Sequence, residues 1–131
     1  MGAFAATAES AAPPRVLVVG DSLSAEYGLA RGRGWVALLQ QRIAQSPQKN
    51  VRGYEVVNAS ISGDTTAGGR SRLPPLLKQH RPAIVILELG GNDALRGLPL
   101  EATRTNLIDM ARASKAAGAK IVIAGMQLPP N

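Results

Sequence analysis

Apolar residues in this chain follow two patterns, which together predict strands alternating with helices. Three short runs, at residues 16–19, 84–87 and 121–124, are apolar at every position. Such runs are typical of strands that are buried on both faces of a parallel sheet. Between them, apolar residues recur at helical spacing, so the repeated order is strand, helix, strand. This order predicts a three-layer α/β/α fold, a doubly wound parallel sheet with right-handed crossovers.

The boundaries of these elements follow from the apolar segments and from the residues that interrupt them. Four strands are expected at residues 15–19, 54–58, 83–89 and 120–125, and three helices at residues 34–44, 66–80 and 99–117. Residues 46–50 should end the first helix, and Gly118 should cap the third. Pro74 and Pro75 fall within the second helix. Because proline is tolerated in the first turn of a helix, the regular part of this helix is expected to begin near Leu73.

Residues 1–14 are small and low in complexity, and we expect a disordered leader or the remnant of a signal peptide there. Ala6-Thr7-Ala8 resembles the small-x-small pattern before a signal-peptidase cut, although a basic segment and a long apolar stretch are missing. The folded domain is therefore expected at residues 15–131, a single domain by its size. No apolar run approaches the ~20 residues of a membrane-spanning helix, so no stable membrane insertion is expected.

Charge and composition narrow the classes of partner. The chain has 15 Lys and Arg against 9 Asp and Glu, a net charge of +6, but its basic residues are dispersed. Aromatic residues make up only 3%, so the stacking platforms of single-strand binders are missing and no nucleic-acid partner is expected. The chain has no cysteine, which excludes disulfides and thiolate metal sites.

Three polar, glycine-bearing loops follow the first three predicted strands. They lie at residues 20–24, 58–65 and 90–93. In open parallel sheets, ligands bind beyond the carboxyl ends of the strands, at the point where the strand order reverses. We therefore expect the three loops to converge on one functional site.

One residue of each loop has chemistry suited to acyl transfer. Ser22 follows the first strand at a tight turn, where an exposed hydroxyl can act as a nucleophile and its backbone N–H can face an oxyanion. Gly63 has no side chain, so its N–H can approach a substrate oxygen closely. The side-chain amide of Asn92 can donate to the same oxygen. Each residue taken alone is also compatible with a simple turn or helix cap.

Asp21, Asp64 and Asp93 stand beside these three residues. We interpret them as supporting residues that accept loop N–H bonds and hold the turns. Three aspartates near one site would also suit a hard cation such as Mg²⁺, but we favour the structural role and expect neither a metal nor a cofactor. His80, the only histidine, ends a helix that begins at the carboxyl edge of the sheet. It should therefore lie at the opposite edge from Ser22, too far away to be its base.

The three loops in this order resemble the first three sequence blocks of the SGNH, or GDSL, hydrolases. The resemblance is carried by Gly20-Asp21-Ser22-Leu23, by Gly63 and by Gly90-Gly91-Asn92-Asp93. Residues 58–65 and 87–97 further resemble the branch of periplasmic thioesterase I, lysophospholipase and arylesterase. The resemblance covers about residues 15–131 and implies the flavodoxin-like fold of SGNH hydrolases.

What this resemblance implies is a serine esterase or thioesterase. In that family the serine at the position of Ser22 is the nucleophile, and its N–H forms the oxyanion hole with the Gly63 and Asn92 positions. The substrates are small acyl esters or thioesters, such as aryl esters, acyl-CoA or lysophospholipids, which react through an acyl-serine intermediate. The family also implies a periplasmic or secreted location.

The base of that family is a histidine in a C-terminal Asp-x-x-His block, and this sequence contains no Asp-x-x-His. We therefore expect the hydrolase domain to be incomplete at its C-terminus and this chain alone to be nearly inactive. The missing segment would belong to a longer parent protein or to a second chain. The alternative function is that of a non-catalytic, flavodoxin-like module that binds an anion or another ligand on its loops.

Overall fold

The computed structural model describes residues 13–125 and residue 127. The strands are β1 (Arg15–Gly20), β2 (Glu55–Asn58), β3 (Ile84–Glu88) and β4 (Lys120–Ile123). The helices are α1 (Trp35–Ala44), α2 (Lys49–Arg52), α3 (Thr66–His80), α4 (Gly91–Leu95) and α5 (Leu100–Ala116). The leader predicted at residues 1–14 lies outside the described residues, except for its last two prolines.

All four strands are parallel, and their order across the sheet is β2-β1-β3-β4. The strand order reverses at β1, so the loops that leave β1 and β3 flank the crevice in which such sheets bind ligands. Gly20, the last residue of β1, is paired in register with Glu88, the last residue of β3. The predicted doubly wound parallel sheet is confirmed.

Successive side chains of β1 face two separate helical layers. Leu17 and Val19 are fully buried in a cluster that includes residues of α3 and α5. Val16 and Val18 belong to a second cluster on the other face, which Val36 of α1 completes. Burying an aliphatic side chain of this size contributes about 1.5–3 kcal/mol. Because both faces of β1 are covered, its sequence is apolar at every position.

The helix α3 begins well before its two prolines, so the expectation that its regular part starts near Leu73 is wrong. Its first residue is Thr66, and Pro74 and Pro75 lie in its interior. Proline removes an N–H donor and frees the carbonyl four residues earlier. Both prolines are exposed, and so are the residues that carry the freed carbonyls. Water can therefore bind these carbonyls, which explains why the helix tolerates two prolines.

Two short helices occupy segments that the sequence predicts to be irregular. The helix α2 follows the break at residues 46–48, and α4 replaces the turn expected at residues 90–93. Gly90 precedes α4 with a φ of +123°, a conformation that glycine adopts far more readily than other residues. This sharp turn at the end of β3 brings Asn92 into the first turn of α4.

The outer strand β4 leaves an apolar surface open. Within the described residues β4 lies at the edge of the sheet, and Val122 and Ile123 are each 49% exposed. None of the helices in the described part of the chain is both long enough and apolar enough to span a bilayer.

Candidate active site

The turn after β1 presents Ser22 at the carboxyl edge of the sheet. The Asp21 carboxylate accepts a hydrogen bond from the Leu23 N–H at 3.0 Å. The Asp21 carbonyl accepts from the N–H groups of Ser24, at 3.0 Å, and Ala25, at 2.9 Å. These bonds close a tight turn around Ser22, which remains partly exposed. Its hydroxyl is thus carried by a fixed backbone at a position that a ligand can reach.

Gly63 lies in the second loop with a φ of +81°, a backbone conformation that L side chains rarely adopt. A Cβ at this position would meet only the Arg96 guanidinium, at 3.9 Å, so the backbone angle and not crowding requires glycine here. The Gly63 carbonyl accepts a hydrogen bond of 2.8 Å from Arg96. This bond ties the second loop to the residue that follows α4.

Asn92 joins the other two loops. Its Nδ2 donates to the Asp64 carbonyl at 2.9 Å and lies 3.4 Å from Asp21 Oδ2. Asp64 follows Gly63 in the chain, and Asp21 precedes Ser22. One carboxamide therefore links the neighbour of the candidate nucleophile with the neighbour of the second-loop glycine, and the three loops converge at one site.

Asp64 and Arg72 hold the second loop from its other side. Asp64 Oδ1 accepts from the Thr65 N–H at 3.0 Å, and Oδ2 accepts from Arg72 Nε and Nη2 at 2.9 and 2.6 Å. Arg72 also donates to the Ala59 carbonyl at 2.7 Å. A single guanidinium thus fixes the beginning and the end of the loop that carries Gly63.

Asp93 connects the third loop to α3 and α5. Its carboxylate accepts hydrogen bonds from the Thr66 N–H at 2.8 Å, from the Thr66 hydroxyl, and from the Thr103 hydroxyl at 2.8 Å. Burial alone would raise the pKa of Asp93, but these hydrogen bonds outweigh it and hold the pKa below its ordinary value. The carboxylate form therefore stabilises this junction.

The three aspartates accept hydrogen bonds within the loops of the site. Within residues 13–125 and 127, no group of three or more His, Cys, Asp or Glu side chains is arranged to hold a metal ion. Each aspartate instead accepts a backbone N–H bond close to the site. This is the contact that the sequence-based interpretation assigned to them.

Glu88 is a member of the site that the sequence analysis did not single out. It is only 6% exposed, and its Oε1 accepts hydrogen bonds from the Ser24 hydroxyl at 2.6 Å and from the Asp21 N–H at 3.2 Å. Burial, together with the charge of Asp21, raises the pKa of Glu88 to about 7, although the two hydrogen bonds act to lower it. The one signal in the sequence was a carboxylate at the end of an apolar run.

His80 lies at the other end of the molecule from this site. It is the last residue of α3, and its carbonyl is 3.5 Å from a guanidinium nitrogen of Arg15, at the start of β1. Ser22 follows the opposite, carboxyl end of β1. The only histidine of the sequence is therefore not near the candidate nucleophile.

Three known proteins resemble this chain closely. Esterase TesA of Pseudomonas aeruginosa is 54% identical over 123 residues, which cover 94% of this chain and 59% of that protein. Thioesterase 1/protease 1/lysophospholipase L1 of Escherichia coli is 43% identical over 125 residues, covering 95% of this chain and 57% of the relative. The crystal structure of the psychrotrophic esterase EstA from Pseudoalteromonas sp., inhibited by monoethylphosphonate, superposes with a TM-score of 0.80 at 42% identity, covering 89% and 62% of the two chains.

These relatives fix the family but extend beyond the present sequence. This chain spans 59% and 57% of the length of the two curated relatives. The sequence model of the GDSL-like lipase/acylhydrolase family matches residues 18–131, which include all three loops of the candidate site. The chain belongs to the GDSL-like lipase/acylhydrolase family.

Proposed function

We propose that this chain carries the nucleophile and the oxyanion donors of a serine hydrolase that cleaves carboxylic esters or thioesters. The observation that supports this most directly is the position of Asn92. Its amide lies 2.9 Å from the Asp64 carbonyl and 3.4 Å from the Asp21 carboxylate, between the loops of Gly63 and Ser22. Membership of an acylhydrolase family supports the same reaction class.

The reaction would proceed in two halves at Ser22. In the first, the Ser22 Oγ attacks the acyl carbon, its proton passes to a general base, and the C–O or C–S bond to the leaving group breaks as that group takes the proton. In the second, water attacks the acyl-serine and the carboxylic acid departs. In each half, the N–H groups of Ser22, Gly63 and the Asn92 side chain would stabilise the oxyanion.

The hydrogen bonds of Asn92 are compatible with this role. Its side-chain nitrogen has two hydrogens, and the 2.9 Å bond to the Asp64 carbonyl engages one of them. The other faces the Asp21 carboxylate over 3.4 Å, a long and weak contact. An oxyanion close to this hydrogen would make a shorter, charge-assisted bond, so Asn92 could hold the second loop and donate to the substrate together.

A histidine that could serve as the general base is not among the described residues near Ser22, and the sequence contains no Asp-x-x-His. His80 lies at the amino-end side of the sheet, beside Arg15. The base would therefore be the histidine of an Asp-x-x-His segment, on a longer parent chain or on a second chain. Without a base, a triad enzyme typically retains only ~10³–10⁴-fold acceleration over water, so this chain alone would be nearly inactive.

The substrate class would be small acyl esters or thioesters, such as aryl esters, acyl-CoA or lysophospholipids. The names of the relatives, among them an esterase and a thioesterase/lysophospholipase, support this range. A periplasmic or secreted location is part of the proposal, and it rests on Ala6-Thr7-Ala8 and on the resemblance of the sequence to a periplasmic branch.

Turnover of para-nitrophenyl acetate tests this proposal. We would compare the present chain with a version extended by the C-terminal segment of the Pseudomonas relative. The extended protein should turn over the ester at least ~10³-fold faster than the present chain. Ser22→Ala should abolish the gain, whereas Ser62→Ala, which removes an exposed hydroxyl beside Gly63, should preserve it.

Two outcomes of this experiment would contradict the proposal. An extended protein that folds but has no turnover, or turnover that survives Ser22→Ala, would contradict the assignment of the nucleophile. Binding of an anionic ester analogue by that inactive protein would favour the alternative, a non-catalytic ligand-binding module.

A further inference from the structure

A buried chain of hydrogen bonds lies beneath the Ser22 turn. The indole N–H of Trp35 donates to Ser24 Oγ at 2.9 Å, and Ser24 Oγ lies 2.6 Å from Glu88 Oε1. An indole nitrogen only donates, so Ser24 Oγ accepts a hydrogen bond from Trp35, and the Ser24 hydroxyl donates one to Glu88 Oε1. Ser24 is only 1% exposed, so these hydrogen bonds are shielded from water.

The two carboxyl oxygens of Glu88 have unequal surroundings. Oε1 accepts from Ser24 and also from the Asp21 N–H at 3.2 Å. Oε2 is buried and has no hydrogen-bond partner among the described residues. Since Oε1 accepts from two donors, Oε2 is the oxygen free to carry a proton. An ionised Glu88 would instead leave a buried, charged oxygen without a donor, which is strongly unfavourable.

The groups around Glu88 also favour its neutral, protonated form. Asp21 is 2% exposed, and the charge of its carboxylate raises the pKa of Glu88. Among the described residues, Asp21 is the titratable group whose charge acts on Glu88, and no ion pair includes either of them. Two neighbouring carboxyl groups without a cation strongly disfavour a second negative charge.

The Ser24–Glu88 pair packs tightly against the end of β1. A Cβ added at Gly20 would lie 2.6 Å from Ser24 Oγ and 2.7 Å from Glu88 Oε1. The end of β1 is therefore a glycine because the Ser24–Glu88 pair fills the space in front of it.

We propose that Glu88 is a positioning residue of the nucleophile turn, and that its neutral carboxyl is the form that holds Ser22 in place. The importance of the turn for catalysis rests on the proposed function, but the coupling of Glu88 to the turn does not. Ionisation of Glu88 sets a second negative charge against Asp21, which carries the Leu23 N–H bond and faces Asn92. Repulsion between the two carboxylates then displaces the turn, although the Asp21 N–H bond to Glu88 strengthens, and the added charge opposes an oxyanion nearby.

The single tryptophan of the sequence provides a direct readout that needs no catalysis. Trp35 fluorescence of the present chain is measured from about pH 5 to about pH 9, the range in which a group with a pKa of about 7 changes charge. We expect one transition with its midpoint near pH 7. Glu88→Gln keeps an acceptor oxygen for Ser24 and Asp21 but cannot ionise, so the transition should disappear.

Two controls separate Glu88 from other groups. His80→Gln removes the one histidine, which lies beside Arg15 at the opposite end of β1 from the Ser22 turn, and should leave the midpoint unchanged. Ser24→Ala removes the link between Trp35 and Glu88, so the fluorescence transition should vanish. In that variant the Asp21 amide resonance in nitrogen–proton NMR spectra should still titrate, because Asp21 N–H contacts Glu88 directly.

A wild-type chain whose Trp35 emission and Asp21 amide are both constant over this range would overturn the proposal. So would a transition that persists in Glu88→Gln or moves with His80→Gln. If Glu88→Gln fails to fold, the Asp21 amide of the wild-type chain still decides the question. None of these outcomes depends on whether Ser22 reacts with an ester, so they are distinguishable from a failure of the proposed function.

Discussion

Arg72 holds Asp64 with two hydrogen bonds, of 2.9 Å from Nε and 2.6 Å from Nη2. The pair is largely shielded from water, with side chains that are 23% and 13% exposed. Arg72 donates a third bond to the Ala59 carbonyl at 2.7 Å, so it closes the loop that presents Gly63. The position of Gly63, a candidate oxyanion donor, thus depends on the guanidinium of Arg72 in α3.

Replacing Arg72 by alanine should therefore destabilise the protein and loosen this loop. Removal of one partner from a buried ion pair typically lowers the free energy of unfolding by ~3–5 kcal/mol. Because this pair is partly exposed, we expect about 2–3 kcal/mol in urea denaturation. Arg70→Ala is the control: it removes a more exposed pair with Asp109, at 54% and 33%, and one 3.2 Å bond to Asn106 Oδ1, so we expect a smaller loss of about 1 kcal/mol. Equal losses in both variants would contradict this reading.

Gly20→Ala tests the close packing between the end of β1 and the Ser24–Glu88 pair. The added Cβ would lie 2.6 Å from Ser24 Oγ, which is well inside van der Waals contact. Forcing a methyl group into a packed core typically lowers the free energy of unfolding by about 1–3 kcal/mol, and thermal denaturation would measure this loss. In the control Gly53→Ala, the new Cβ has no neighbour within 4 Å and the backbone is right-handed helical, so stability should change by less than about 1 kcal/mol.

The sequence predicts most of this fold because strands covered on both faces must be apolar throughout. Residues 16–19 satisfy that requirement, and the alternation of strands and helices indicates parallel strands with right-handed crossovers, whereas the order of the strands is known only from the structure. The path of α3 was less predictable, since Pro74 and Pro75 are tolerated only because they and the carbonyls they free are exposed, a tertiary property. Exposure cannot be read from local residue preferences.

The candidate site was predictable to a similar extent. The loops of Ser22, Gly63 and Asn92 converge because parallel strands end at one edge, which the pattern already implied. Glu88 could not be predicted as a site residue, for a physical reason. A buried carboxyl group is tolerated where hydroxyl and N–H donors surround it. For Glu88 these donors are the Ser24 hydroxyl and the Asp21 N–H, which lie more than sixty positions earlier in the sequence.

Asp93→Asn should change both the stability and its dependence on pH. The pKa of Asp93 in the folded protein is lowered from 3.8, so its carboxylate stabilises the fold above that pH and this contribution is lost as the pH falls through the folded pKa. The variant also places an NH₂ group against the donors Thr66 and Thr103. At neutral pH we expect a loss of about 1–3 kcal/mol in the free energy of unfolding.

The difference between Asp93→Asn and the wild type should shrink in acid, where the wild-type carboxylate is protonated. Urea denaturation at several pH values would measure this trend. Asp109→Asn is a suitable control, because Asp109 is partly exposed and pairs with Arg70 at the surface of α5. A difference that stays constant from neutral pH into acid would argue that the carboxylate charge is not what stabilises this junction.

Asn92→Ala should slow ester hydrolysis by the extended protein far more than it affects folding. Loss of one oxyanion donor typically lowers kcat by ~10²–10³, about 2.7–4 kcal/mol of transition-state stabilisation. The KM for the ester should change little, because the ground-state carbonyl makes weaker hydrogen bonds than the oxyanion. An Asn92→Ala variant with unchanged kcat and a raised KM would limit Asn92 to substrate binding or loop packing.

The most direct test of the central claim is covalent labelling of Ser22. The extended protein is treated with a fluorophosphonate, and its intact mass and labelled peptide are determined. We predict one adduct, mapped to Ser22, that disappears in Ser22→Ala, persists in Ser62→Ala and forms much more slowly in Asn92→Ala. A folded, extended protein that acquires no adduct, or one modified at a residue other than Ser22, would contradict the account.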